Sequence, residues 1–139
     1  MNREHWKSLV DLRLSEAKAL LNAKQWSGAY YLSGYAVECG LKACILRRVE
    51  ETGIIFVERK FLDKCWTHDF NELIESAGLT AIRKTDIVAN DKLRRNWAVA
   101  AEWDEQARYA IWSHQKAKNL YKAITTLDHG VLTWIKTHW

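Results

Sequence analysis

YYLSGYAVECGLKACI, Tyr30 to Ile45, decides the fold. The run holds only Glu38 and Lys42 as charges, Gly34 and Gly40 inside it, and no proline. A membrane span, a core helix and the inner wall of a functional site all accept such a run. A span needs about 20 predominantly apolar residues, and Glu38 and Lys42 interrupt this one. At helical spacing Leu32, Ala36, Cys39, Ala43 and Leu46 form one apolar stripe, while Tyr31, Tyr35 and Ile45 cover other sides. A helix that is apolar nearly all round belongs at the centre of a bundle, and the pattern predicts one over residues 26–48. Gly34 and Gly40 each cost about 1 kcal/mol against alanine in a helix. Together with Ala29, Ser33, Ala36 and Ala43 they keep the surface small, so a neighbouring element can pack closely. Glu38 and Lys42 stand at i,i+4 in the favourable order. A lone charge inside such a helix would be costly. The pair is therefore either a mutual neutralisation at a core edge or part of a polar cleft.

Working outward, residues 4–24 read as an amphipathic helix with Trp6, Val10, Leu14, Ala17 and Leu21 inward. A loop or short hairpin is predicted around residues 52–60. Next comes a short helix with Phe70, Leu73, Ile74 and Ala77 on one face, an Asp69–Glu72 capping box and Gly78 as its stop. His68 precedes it, where a histidine serves either to fix the loop or as a proton-transfer group. A helix over residues 81–101 is expected to turn Ala89, Leu93, Trp97 and Ala100 inward. Its other face sets Arg83, Lys84, Lys92, Arg94 and Arg95 against Asp86 and Asp91, which suits either a solvated surface or RNA contact. The last helix is predicted to start at Ser113 and to carry Ala117, Leu120, Ile124, Leu127, Val131 and Trp134, with Gly130 breaking or kinking it.

The 139 residues and the absence of proline suit one domain, 1–139, of long helices. The fold class expected is all-α, an up-and-down antiparallel bundle of four to five helices. The net charge of +4 permits a polyanionic partner without requiring one. Eight tryptophans favour core anchors over exposed stacking platforms. Cys39, Cys44 and Cys65 show no framework or zinc spacing and read as reduced thiols of a cytoplasmic protein. No secretory leader pattern is visible at the start, and no membrane association is expected. Phosphate-loop, zincin and nucleophile-elbow motifs are all missing, so no cofactor and no metal are expected.

The pattern W-x-x-A-Y-Y-L-x-G-Y-A-V-E-C-x-L-K-A at residues 26–43, with T-H-D-F-x-x-L at 67–73, resembles the HEPN (higher eukaryotes and prokaryotes nucleotide-binding) domains. So do W-x-x-x-x-R-Y at 103–109 and W-I-K at 134–136. The resemblance covers nearly the whole chain, and residues 26–43 are its most specific part. It implies a helical bundle that frequently dimerises through its long helices, which would suit the small residues of the second helix. Many members are metal-independent endoribonucleases, often toxins of toxin–antitoxin or phage-defence systems, marked by an Arg, four to six residues, then a His. Others lack the signature and act as partners, notably of small nucleotidyltransferases, with nucleotide binding proposed.

One match to the signature is present, Arg108-Tyr-Ala-Ile-Trp-Ser-His114. A histidine can accept the proton of a 2′-hydroxyl near neutral pH, and an arginine can hold the phosphorane-like charge, without a metal. In that case His114 is the general acid–base, Arg108 the phosphate clamp, and Glu38 a polar residue orienting one of them. Tyr109 departs from the polar residue that commonly follows the arginine in active members. One continuous helix over 108–114 would set the two side chains about 120° apart, which a helix start at Ser113 relaxes. The alternatives are a surface salt bridge from Arg108 to Asp104 or Glu105 and a water-exposed His114, with Trp103 and Tyr109 sealing the bundle end. Lys42, Arg94 and Arg95 are the candidate nucleotide- or RNA-binding residues. The leading expectation is a homodimeric nucleotide- or protein-binding partner in a toxin–antitoxin or defence-type system. Its partner would be a cognate antitoxin or a nucleotidyltransferase, or an RNA or nucleotide. A metal-independent endoribonuclease and a purely structural dimeric interaction domain are the alternatives.

Overall fold

The computed structural model describes residues 1–53 and 59–139. Among these, eight α-helices and one 3-10 helix make up the regular structure, with no strand. The region predicted as a loop or hairpin lies mostly outside the described residues; Thr52 closes a helix and Arg59 opens the next.

Helix α1, Arg3–Asn22, starts on an Asn2 side chain that accepts the His5 amide at 2.9 Å. Helix α2, Trp26–Thr52, runs past its predicted end to Gly53, whose φ of +63° is the left-handed stop that glycine adopts without strain. Arg3 at the start of α1 pairs with Glu50 near the end of α2 at 3.3 Å, so the two run antiparallel. The stretch from Tyr30 to Ile45 is the core: Ala36, Val37, Glu38, Cys39, Gly40, Leu41 and Ala43 are all buried.

The small residues of α2 are spent within the chain. A Cβ at Gly34 would meet the Trp103 ring at 2.3 Å, and one at Gly40 would meet Ile135 at 2.9 Å. Ala36 and Ala43 have no exposed surface. The expectation that these positions serve contact between copies is corrected on that ground, because the chain's own side chains already fill the space.

Helix α3 spans Arg59–Cys65 and α4 spans Phe70–Ser76. Asp69 caps α4 as expected, accepting from the Glu72 amide at 3.0 Å, but its own amide goes to Thr67 Oγ1 at 3.1 Å, not back to Glu72. The helix expected over residues 81–101 is two: α5, Thr80–Ala89, and α6, Asp91–Ala100. Asn90 separates them in extended geometry and caps α6 by accepting the Leu93 amide at 3.0 Å. An asparagine side chain competes with the helical ladder in this way. Leu93, Trp97 and Ala100 are buried as predicted, whereas Ala89 is exposed because α5 buries no residue of its own. Eight helices in place of four to five follow from this split and from the short α3 and α8.

The 3-10 helix Glu105–Tyr109 leads to α7, His114–Thr125, and α8 follows at Val131–Lys136. Ser113 caps α7, accepting from Lys116 at 3.2 Å. Leu127, expected inward, is 85% exposed because α7 has already ended, while Val131 and Trp134 return to the core on α8. Gly130 makes the break: a Cβ there would lie 2.1 Å from the Thr126 carbonyl oxygen and 2.8 Å from that of Ile124. Backbone cannot yield as a side-chain tip can. Gly130→Ala is expected to cost about 2–3 kcal/mol, a fall in Tm of about 5–10 °C for a chain of this size. A thermal melt checks it, and an unchanged Tm would mean that the turn is wider than described.

Candidate functional site

Glu38 has no exposed surface, and both of its carboxylate oxygens are engaged. Lys42 Nζ donates to Oε1 at 2.7 Å, and His68 Nδ1 lies 2.8 Å from Oε2. The i,i+4 spacing on α2 supplies the first partner; the Thr67–Asp69 turn before α4 supplies the second. Lys42 is also buried, its ammonium 5.1 Å from the Trp6 ring centre and 5.7 Å from that of Trp66. Two aromatic faces and one carboxylate replace its water. Beside Lys42 the carboxylate is an acceptor only, so His68 Nδ1 carries the proton towards it. Nε2 is left with its lone pair and makes no hydrogen bond among the described residues. A carboxylate that holds a histidine in one tautomer is the arrangement used where the second nitrogen acts as base or ligand.

His68 opens onto a cleft of about 220 Å³ at the junction of α4, α5, α6 and the 3-10 helix, to which Arg83, Trp97, Trp103, Asp104 and Glu105 also contribute. Arg83 stacks on Trp97 at 5.4 Å and donates to Asn71 Oδ1 at 2.9 Å. Burial holds its guanidinium below the usual arginine value. Trp103 lies flat between Gly34 and Phe70, its ring 5.2 Å from the phenyl and 8° from parallel. The Nε1 atoms of Trp97 and Trp103 are buried without a partner among the described residues. Asp104 caps the 3-10 helix through the Gln106 amide at 2.8 Å. Glu105 is held below the ordinary carboxyl value, first by a bond to its own backbone amide and then by one from the Gln106 side chain.

The remaining candidates lie elsewhere. Arg108 is exposed on the 3-10 helix, its guanidinium 4.9 Å from the Tyr109 ring centre; Tyr109, expected to seal the bundle end, is 73% exposed. Trp103 does take the sealing role. His114 opens α7 and rests against Trp26, ring centres 4.3 Å apart. No hydrogen bond joins Arg108 to His114 among the described residues, and neither touches Glu38. The role of Glu38 as orienter of that pair is corrected accordingly: its partners are Lys42 and His68. The surface salt bridge considered for Arg108 does not form among the described residues, and His114 is exposed as its simpler reading held.

Lys42, expected to meet nucleotide or RNA, is instead committed to the interior. Arg94 and Arg95 are exposed on α6 and both pair with Asp91. Arg95 also borders a groove of about 420 Å³ between α6 and α7, where Lys92 and Lys122 join it and Asp128 is the one acid. The cysteines carry no candidate chemistry. All three are free, and burial pushes the Cys39 and Cys44 thiols up to about 12, too high for a nucleophile near neutral pH.

These features define an all-helical bundle with a buried Glu–Lys–His centre that reaches the surface at one small cleft. No family model, no curated protein and no solved structure matches the chain. No helix among the described residues is long and apolar enough to cross a membrane. His68 and Arg83 are the residues that reading the sequence underweighted. His68 lay inside the quoted T-H-D-F pattern, which could have singled it out. Nothing local distinguished Arg83 from the other basic residues of its helix.

Proposed function

We propose that the chain is a HEPN-like domain that binds a nucleotide or a nucleotide-carrying protein partner in a toxin–antitoxin or defence-type system, without cleaving RNA. The observation that carries this reading is the α6–α7 groove. Lys92, Arg95 and Lys122 border it against the single carboxylate of Asp128, with Asn96 and Asn119 also in its lining. Ammonium and guanidinium groups lining one groove suit a phosphate chain. The separate settings of Arg108 and His114, one against Tyr109 and the other against Trp26, favour binding over catalysis. A cytoplasmic setting and a homodimer belong to the same proposal. Exposed apolar side chains such as Val88 and Leu127 are available to a second copy.

Binding of a fluorescent ATP analogue tests the reading. The wild type is expected to bind with an affinity that falls as salt rises, and the Lys92→Glu, Lys122→Glu double variant to bind at least tenfold more weakly. Total RNA incubated with the protein in EDTA is expected to stay intact. Cleavage to 2′,3′-cyclic phosphate ends by the wild type, lost in Arg108→Ala and His114→Ala, would replace this proposal with the ribonuclease reading.

A further inference from the structure

The cleft at His68 holds opposite charges that do not meet. Arg83 forms no ion pair with a carboxylate among the described residues, its one hydrogen bond going to the neutral Asn71. Asp104 and Glu105, which share the cleft, form no ion pair there either. A guanidinium and two carboxylates thus line one cleft of about 220 Å³ without pairing. Here the Trp97 stack and the Asn71 bond hold Arg83 in place, while the N-cap bond to Gln106 holds Asp104.

The polar groups also divide by role. Arg83 is the donor of the cleft, and Trp97 and Trp103, each more than nine-tenths buried, supply its aromatic walls. His68 Nε2, Asp104 and Glu105 are acceptors, with Nε2 kept so by the bond from Nδ1 to buried Glu38. A ligand that satisfies both sets must carry an anionic or strongly accepting end and a cationic donor end. The volume is below the roughly 300–1,000 Å³ of pockets for drug-sized molecules, and the indole and phenyl faces offer apolar contact.

The geometry points to a binding site for a small zwitterion of the α-amino-acid class, its carboxylate on Arg83, its ammonium on His68, Asp104 and Glu105. The site is separate from the α6–α7 groove, so the failure of either proposal leaves the other standing.

The test is a thermal-shift and calorimetric screen of the standard free L-amino acids, each hit compared with its α-carboxamide and with its deaminated acid. At least one amino acid is expected to raise Tm in a concentration-dependent way, while the two single-charge analogues bind at least tenfold more weakly. Arg83→Gln and the Asp104→Asn, Glu105→Gln double variant are each expected to weaken binding at least tenfold. Asparagine retains the cap at position 104, so the double variant remains informative if Arg83→Gln does not fold. Lys118→Gln, on the exposed face of α7, is expected to bind as the wild type does. A carboxamide that binds as well as the acid overturns the assignment in favour of a simple amine, and a deaminated acid that does so overturns it in favour of a simple anion. No response from any amino acid overturns it outright.

Discussion

Glu38→Ala is expected to cost about 3–5 kcal/mol, the range for removing one partner of a buried ion pair, which is a large share of a typical stability of about 5–15 kcal/mol. The cost comes less from the lost bond than from what it leaves. The Lys42 ammonium would remain between Trp6 and Trp66 with no counter-charge, and His68 would lose its anchor. Glu38→Gln keeps an acceptor without the charge, so it should fall between alanine and wild type. Glu38→Leu combined with Lys42→Met should recover most of the loss, because apolar groups of similar volume commonly match a buried pair in stability. Urea denaturation measures these three variants, and adding Glu38→Leu and Lys42→Met singly completes the cycle that isolates the coupling. A loss below about 1 kcal/mol for Glu38→Ala would show that the side chain reaches water, against its complete burial.

Gly34→Ala is expected to destabilise as well, and the sign of the effect is the informative part. On helix propensity alone the change should stabilise by about 1 kcal/mol. The new Cβ, however, would sit 2.3 Å from the atoms of the Trp103 indole, which Phe70 backs on its other face. A flat ring wedged on both sides cannot swing away as a flexible tip would. Overpacking of this kind costs about 1–3 kcal/mol or more, so net destabilisation of about 1–2 kcal/mol is expected, with a shift in tryptophan emission as Trp103 moves. Because Trp103 also walls the cleft, ligand binding there should weaken in parallel. A more stable Gly34→Ala would remove Trp103 from the face of α2 and the cleft with it.

The burial of α2 was legible because so long an apolar surface has only the interior to go to, and the result is that Tyr30 to Ile45 is buried almost throughout. The caps at Asp69 and Ser113 and the break at Gly130 were legible for a related reason: they depend on residues within a few positions of one another. Asn90 belongs to the same local class, but the apolar rhythm of Leu93, Trp97 and Ala100 masked its capping role and suggested one helix where there are two. Arg108 and His114 illustrate the opposite case. Their spacing suggested a pair, yet chain separation says little about two side chains when a 3-10 helix and an extended segment intervene.

The sequence by itself determined the helical class, the central place of α2 and the Glu38–Lys42 pair, since each follows from periodicity within one element. Only the tertiary structure decided that the second oxygen of Glu38 belongs to His68, thirty residues away, and that Arg83 shares a cleft with Trp103 and Glu105. Those contacts join different helices and the turns between them. Packing, which acts on distance in space and not along the chain, sets which residues meet.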